Sequence, residues 1–144
     1  IYIPDVVYDN RDKTFTQPLL ATAVVKHEVK KVRLEATKAT EGYKDGIEDE
    51  LKKKGYRLSV ETKPAPSNKS KAQRIFDRAP DICSRFIFLE TSKRSKPYEM
   101  FMQNVFSYKM TGKNKHDDAP DSLSMAADMA CGNTGEYEIF VRPC

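Results

Sequence analysis

A chain of 144 residues, 39% apolar and 32% charged, has the make-up of one soluble domain large enough to bury a real core. Its net charge of +4 is spread over 25 basic and 21 acidic residues, too mixed a balance to demand a polyanionic partner. The longest mostly apolar run, residues 19–25, is far too short to span a bilayer, and no signal peptide opens the chain. Cys83, Cys131 and Cys144 are odd in number and widely spaced, which argues against a disulfide framework or a zinc site and for reduced thiols in a cytosol.

Residues 1–8 are rich in β-branched and aromatic side chains and read as a strand, with Pro4 placing it at an edge or a bulge. The chain starts abruptly in this strand, which points to something upstream. A turn at residues 9–13 leads to an amphipathic helix over 15–27, carrying Leu19, Leu20, Ala23 and Val24 with Pro18 in its first turn. Val32, Leu34 and Ala36 then alternate with Lys31, Arg33 and Glu35 as in a strand with one apolar and one polar face. Glu35 falls at the strand's C-terminal end, the edge where sites gather in open α/β sheets, although a solvated Glu is the simpler reading.

The spacing of Ile47 and Leu51 predicts a helix over 43–54, with acids early, lysines late and Gly55 ending it. Residues 56–62 alternate as a further strand, and 63–68 form a loop. Ser67 or Asn68 is positioned to cap a short helix bearing Ala72, Ile75 and Phe76, interrupted at Ala79-Pro80-Asp81. Residues 85–90 form the last strong central strand candidate. Tyr98, Phe101, Met102, Val105 and Phe106 mark another amphipathic helix.

The most informative stretch follows. A basic loop holding Lys109, Lys113 and Lys115 runs through His116 into Asp117, Asp118 and Asp121, and then into a helix whose face is Ala119, Leu123, Ala126, Ala127 and Ala130. Pro120 suits the first turn, Asp117 or Asp118 the capping position. Carboxylates at a helix start can simply cap it and complement its dipole. Hard oxygen ligands packed this closely are also what Mg²⁺ or Mn²⁺ requires. Lys113 and Lys115, with Lys93 and Arg94 before the preceding helix, would suit a phosphate backbone; solvated loops are the plainer alternative. Residues 136–141 close the chain as a strand. Strands alternating with helices make this an α/β chain with a mixed sheet, without repeats or interdomain linkers. Phosphate-binding glycine loops, Gly-x-Ser-x-Gly and His-Glu-x-x-His are all missing from the sequence.

Three segments together carry a resemblance: Val32-Arg33-Leu34-Glu35, residues 68–75 (Asn-Lys-Ser-Lys-Ala-Gln-Arg-Ile), and residues 116–123 (His-Asp-Asp-Ala-Pro-Asp-Ser-Leu). In that order and spacing they resemble the C-terminal nuclease domain of a tailed-bacteriophage terminase large subunit. The resemblance runs through nearly all of residues 1–144, from Tyr2-Ile3-Pro4-Asp5 to Phe140-Val141-Arg142-Pro143. It implies an RNase H-like mixed central sheet flanked by helices, and a single nuclease domain without the packaging ATPase. It further implies endonucleolytic cleavage of concatemeric double-stranded DNA with two Mg²⁺ or Mn²⁺ ions. Partners would include the terminase small subunit and portal, in the cytoplasm of an infected bacterial host.

Such a site uses an Asp on a first strand, an acid ending a later strand and an Asp opening the last major helix. Glu35 matches the second, and Asp118, with Asp117 as its rival, the third. Asp121 is a candidate auxiliary metal ligand and His116 an auxiliary group. The first Asp and its strand are expected before residue 1, so the RNase H-like sheet would lack its first strand; Asp5 sits on the wrong strand to replace it. A resolvase-like nuclease of the same fold and a non-catalytic DNA-binding or packaging-complex docking module are the alternatives. The nuclease reading requires Glu35 and the helix-opening acid to converge in space around divalent ions roughly 3.5–4 Å apart.

Overall fold

Two separate apolar clusters, rather than one, organise the chain in the computed structural model, which describes residues 1–131. The elements run β1 (Tyr2–Ile3), α1 (Lys13–Lys26), β2 (Val32–Glu35), α2 (Thr40–Lys53), β3 (Val60–Lys63), α3 (Lys71–Arg85), β4 (Ile87–Phe88), α4 (Lys96–Ser107) and α5 (Asp118–Cys131). A 3-10 turn at Thr91–Lys93 joins β4 to α4. The fold is α/β as expected. The expected mixed central sheet is not what the described residues form: β1 pairs with β4 and β2 with β3, each pair parallel and two-stranded. The closing strand expected at 136–141 lies outside the described residues.

The first cluster is built by α1, α2, β2 and β3. Ala21 and Val24 of α1 meet Ile47 and Leu51 of α2 over Val60, all at most 3% exposed. Asp12 caps α1 by accepting the Thr14 amide at 2.8 Å, satisfying one of the amides a helix start leaves open. The helix thus begins before residue 15, and Pro18 falls beyond the first turn. Gly55, at φ 71°, ends α2 by sending its amide to the Lys52 carbonyl, while the Tyr56 amide reaches Leu51. This is the left-handed cap that glycine makes cheaply, and the sequence predicts it.

β2 and β3 run in register from Val32↔Val60 to Glu35↔Lys63. Glu35 is the last residue of its strand, as expected. The following turn is tied by Thr40, whose hydroxyl donates to the Glu35 carbonyl and accepts the Thr37 amide, both at 2.8 Å. The backbone carrying Glu35 is therefore anchored to the start of α2.

The second cluster gathers Phe86, Tyr98, Phe101, Met102, Ala119, Leu123 and Ala127. Its floor is the small-residue face of α5, where Ala119 and Ala127 are fully buried, so that α4 and α3 can pack close. Ser95 caps α4 and Ser70 caps α3, each accepting the amide three residues on. The capping residue of α3 is thus Ser70, not Ser67 or Asn68. Nor does Pro80 interrupt this helix, which continues to Arg85. Pro80 removes the amide that would bond the Phe76 carbonyl, and Phe76, 54% exposed, sits where water can serve instead.

Tyr98 fastens this second half together. Its ring is buried, its hydroxyl donates to the Ile3 carbonyl at 2.8 Å and accepts the Leu89 amide at 3.1 Å. One phenol thereby joins α4 to the strand ends of β1 and β4. Tyr98→Phe removes the oxygen and leaves a half-buried amide and carbonyl without this partner, which should cost about 1–3 kcal/mol. The check is the urea midpoint at unchanged m-value; an unchanged midpoint would show that these groups find other partners.

Candidate functional site

α3 and α5 lie against each other along a stripe of opposite charge. Lys71, Arg74 and Arg78 recur three and four residues apart, so all three project from one face of α3. Facing them from α5 and the residue before it are Asp117, Asp118, Asp121 and Asp128. Lys71 Nζ stands 2.8 Å from Asp117 Oδ1, 2.8 Å from Asp118 Oδ1 and 3.7 Å from Asp121 Oδ2. Arg74 Nη2 donates to both oxygens of Asp121 at 3.0 and 2.9 Å, and Arg78 donates to Asp128 at 2.5 Å. The partner positions rise together along both helices, so α3 and α5 run in the same direction.

Asp121 is the centre of this arrangement. Its side chain is only 9% exposed, and besides Arg74 it accepts a 3.3 Å hydrogen bond from Ser124. A carboxylate so enclosed is tolerable only with a cation and further donors around it. Arg74 also lies 3.9 Å from Glu35 Oε1, so the acid ending β2 and the acid in the first turn of α5 share one guanidinium. Glu35 and Asp121 thus both lie within 4 Å of one guanidinium, while Asp118, the acid expected to meet Glu35, contacts Lys71 instead. Glu35 and Asp118 are linked through Arg74, Asp121 and Lys71.

The carbonyl of Asp117 accepts the Asp121 amide at 3.2 Å, which puts Asp117 in the capping position, while its carboxylate turns to Lys71. Asp118, the first residue of α5, is 84% exposed at its side chain. His116, Lys113 and Lys115 all lie exposed on the loop before α5. Lys93 is exposed beside Glu90. Arg94 is directed inward: it donates to the Leu89 carbonyl at 2.8 Å and to Glu99 at 3.0 Å, and its side chain is 12% exposed. Its guanidinium holds the β4–α4 connection, which corrects its sequence-based assignment to phosphate.

Charge follows from these contacts. The hydrogen bond from Lys71 holds the Asp117 carboxyl below its ordinary value, against a smaller opposing effect of burial. For Lys71, burial works against the charged form, but the bonds to Asp117 and Asp118 outweigh it and raise the ammonium's pKa. Arg74 Nε is buried without a hydrogen-bond partner among the described residues, leaving an unspent donor beside the acids.

Comparison with protein families, with curated proteins and with solved structures found no match. What the site can do follows from its own geometry. Among the described residues no three acidic, histidine or cysteine side chains are grouped so as to hold a metal ion as they stand. Their chemistry nonetheless fits one. Three carboxylates converge on a single ammonium, and hard oxygen donors that attract one cation suit a divalent ion in its place.

Sequence reasoning singled out the acids and missed their cations. Lys71 and Arg74 lie in the 68–75 segment, and the signal that could have found them is the pairing of a 71, 74, 78 stripe with an acidic one at 118, 121, 128.

Arg74→Met should destabilise the chain by about 3–5 kcal/mol, because it strands the Asp121 carboxylate in the helix interface. Adding Asp121→Leu should recover most of that loss in thermal or urea unfolding; no recovery would place the defect elsewhere. The Lys71–Asp117 pair sets a pH window. Asp117, with its folded pKa depressed, contributes stability above its unfolded pKa and loses it as pH falls through the folded value; Lys71, raised, loses its contribution only in strong alkali. Stability should fall below about pH 4, and Lys71→Met should flatten that acid limb in urea titrations at successive pH values.

Proposed function

We propose that this chain is a metal-dependent DNA endonuclease domain of the terminase type, with an RNase H-like arrangement of its strands and helices, acting on double-stranded DNA during viral genome packaging. The observation that carries the reading is the meeting of the three resembling segments. Glu35, Lys71 with Arg74, and Asp117, Asp118 and Asp121 come from positions far apart in the chain and share one set of ion pairs. Helix capping alone would not draw in the acid at the end of β2.

On this reading Glu35, Asp117, Asp118 and Asp121 would hold Mg²⁺ or Mn²⁺. Two such ions, when bound, activate the attacking water and stabilise the departing 3′ oxygen. The chain's own groups do the rest. Arg74, bonded to both oxygens of Asp121, holds that carboxylate in place beside Glu35, and Ser124 restricts the Asp121 rotamer. Lys71 guards the more exposed pair, Asp117 and Asp118, and its ammonium is free to turn to a phosphate oxygen once those carboxylates are otherwise neutralised. His116 and the lysines at 113 and 115 border the site on the loop leading into α5. The small subunit and portal of the packaging machine, and the cytoplasm of the bacterial host, belong to the same proposal.

A second reading has a specific observation in its favour. Every acid of the cluster already has a cation within 4 Å, as an ion-paired helix interface in a non-catalytic DNA-binding or docking module would have. A resolvase-like nuclease would share the first mechanism and differ in substrate.

Supercoiled plasmid separates these readings. With Mn²⁺ present the full-length protein should nick the plasmid; EDTA should stop it, and Asp118→Ala or Glu35→Ala should lower the rate by at least about a hundredfold, as loss of a metal-held nucleophile demands. Equal cutting by the variants would defeat the assignment of these acids. DNA binding without any cutting would favour the module.

A further inference from the structure

Beside the acids, the β2–β3 edge and the flank of α3 enclose an open groove of about 820 Å³. Six cations line it: Lys31, Arg33, Lys63, Lys69, Arg74 and Arg78, against two carboxylates, Asp77 and Asp128. We propose that this groove is the track along which one phosphodiester backbone of duplex nucleic acid runs into the acid site. The proposal rests on the nuclease reading for where the track leads, not for what it binds.

The cations are arranged in two facing rows. On one wall Lys31 and Arg33 are two residues apart, at and just before β2, and so lie on the same side of an extended chain. On the other, Arg74 and Arg78 are one helical turn apart on α3, about 6 Å between their Cβ atoms. Lys63 also lines the groove, opposite Glu35 in the β2–β3 register and so at the strand end that carries that acid.

The acids present hold these cations in position rather than cancel the groove. Glu61 spaces Lys31 and Arg33 at 3.2 and 3.5 Å, Asp77 holds Lys69 at 2.6 Å, Asp121 holds Arg74 at 2.9 Å, and Asp128 and Asp81 hold Arg78 at 2.5 and 3.1 Å. Lys63 has no ion-pair partner among the described residues. A single phosphate would fill a small part of this volume and meet one row; an extended polyanion meets both. The walls between the charges include Pro66 and Met129, apolar surface against which sugar edges can lie. Arg74 belongs to the groove and to the acid cluster alike, so a backbone lying on the rows arrives at Glu35 and Asp121.

The site differs from the loop lysines that the sequence brings forward, and the two can be compared directly. Lys31 and Lys63 are exposed, so Lys31→Gln/Lys63→Gln should melt as the parent does. Binding of a fluorescein-labelled 20-base-pair duplex would be followed by anisotropy in EDTA over a range of salt. The double variant should bind about tenfold more weakly at moderate salt, with the slope of log K against log salt shallower by about two phosphate contacts. Lys113→Gln/Lys115→Gln should change both less. Unchanged affinity and slope in the groove variant would overturn the proposal, as would loss of binding confined to the loop variant. Because binding is read without cleavage, a chain that binds through the groove and never cuts DNA removes the nuclease reading and leaves the groove. Cutting by the parent with unaltered binding by the groove variant does the reverse.

Discussion

The contact on which the rest depends is the charged seam between α3 and α5. Acids at the first turn of a helix are favourable while they face water. Asp121 does not: it lies under Arg74 of α3, on the same helix that puts Ala119, Leu123 and Ala127 into the core. α5 can occupy that position only if a neighbouring helix supplies cations at matching intervals. The 71, 74, 78 spacing on α3 does so, and the cost of desolvating the carboxylates is offset by charge-assisted hydrogen bonds. Once this seam forms, the direction of α5 relative to α3 is set, and the small-residue face is turned toward Tyr98, Phe101 and Met102.

The seam also reaches across the molecule. The first apolar cluster, around Ile47 and Leu51, and the second, around Tyr98 and Leu123, are separately packed. Arg74 touches Glu35 at the end of β2, and at another point Asp5 accepts hydrogen bonds from Lys26 and pairs with His27 at the end of α1. These polar links bring the two halves together at long sequence separation. Polar contacts of this kind contribute less than apolar burial per group but are far more directional, so they fix how the halves are placed rather than whether each is stable.

Local signals carried much of the fold. Ile47 with Leu51, Tyr98 with Phe101 and Met102, and Ala119 with Leu123 are helical periodicities that the structure buries, and Gly55 ends its helix by the expected left-handed turn. The errors fall where the deciding partner is distant. Ala72, Ile75 and Phe76 look alike as apolar residues of α3, but the helix lies on α5 through its ion pairs, which buries Ile75 and leaves Phe76 in water. A break at Pro80 follows from local propensity; packing of α3 on α5 overrides it. Parallel pairing of β1 with β4, some 85 residues along, depends on a hydrogen-bond register invisible to any window of sequence. The site divides in the same way. Carboxylates crowded at a helix start stand out in the letters, whereas Lys71 and Arg74 become legible only when a second stripe is set against the first.

The two cations at the acids are not equivalent, and the difference bears on chemistry. Arg74 is a planar fork, 13% exposed at its side chain, bonded to both oxygens of Asp121. Removing it would leave a buried charge, so it is a fixed part of the site. Lys71 is a point charge on a flexible stem, 33% exposed, facing an Asp118 that is itself largely in solvent. Its ammonium, on a flexible stem at the edge of solvent, has room to turn away if another cation takes over Asp117 and Asp118. On the nuclease reading this gives the cluster one permanent counter-charge and one replaceable one. The permanent charge holds Asp121 and stands beside Glu35, and the replaceable one, between Asp117 and Asp118, marks where on that reading a divalent ion would enter.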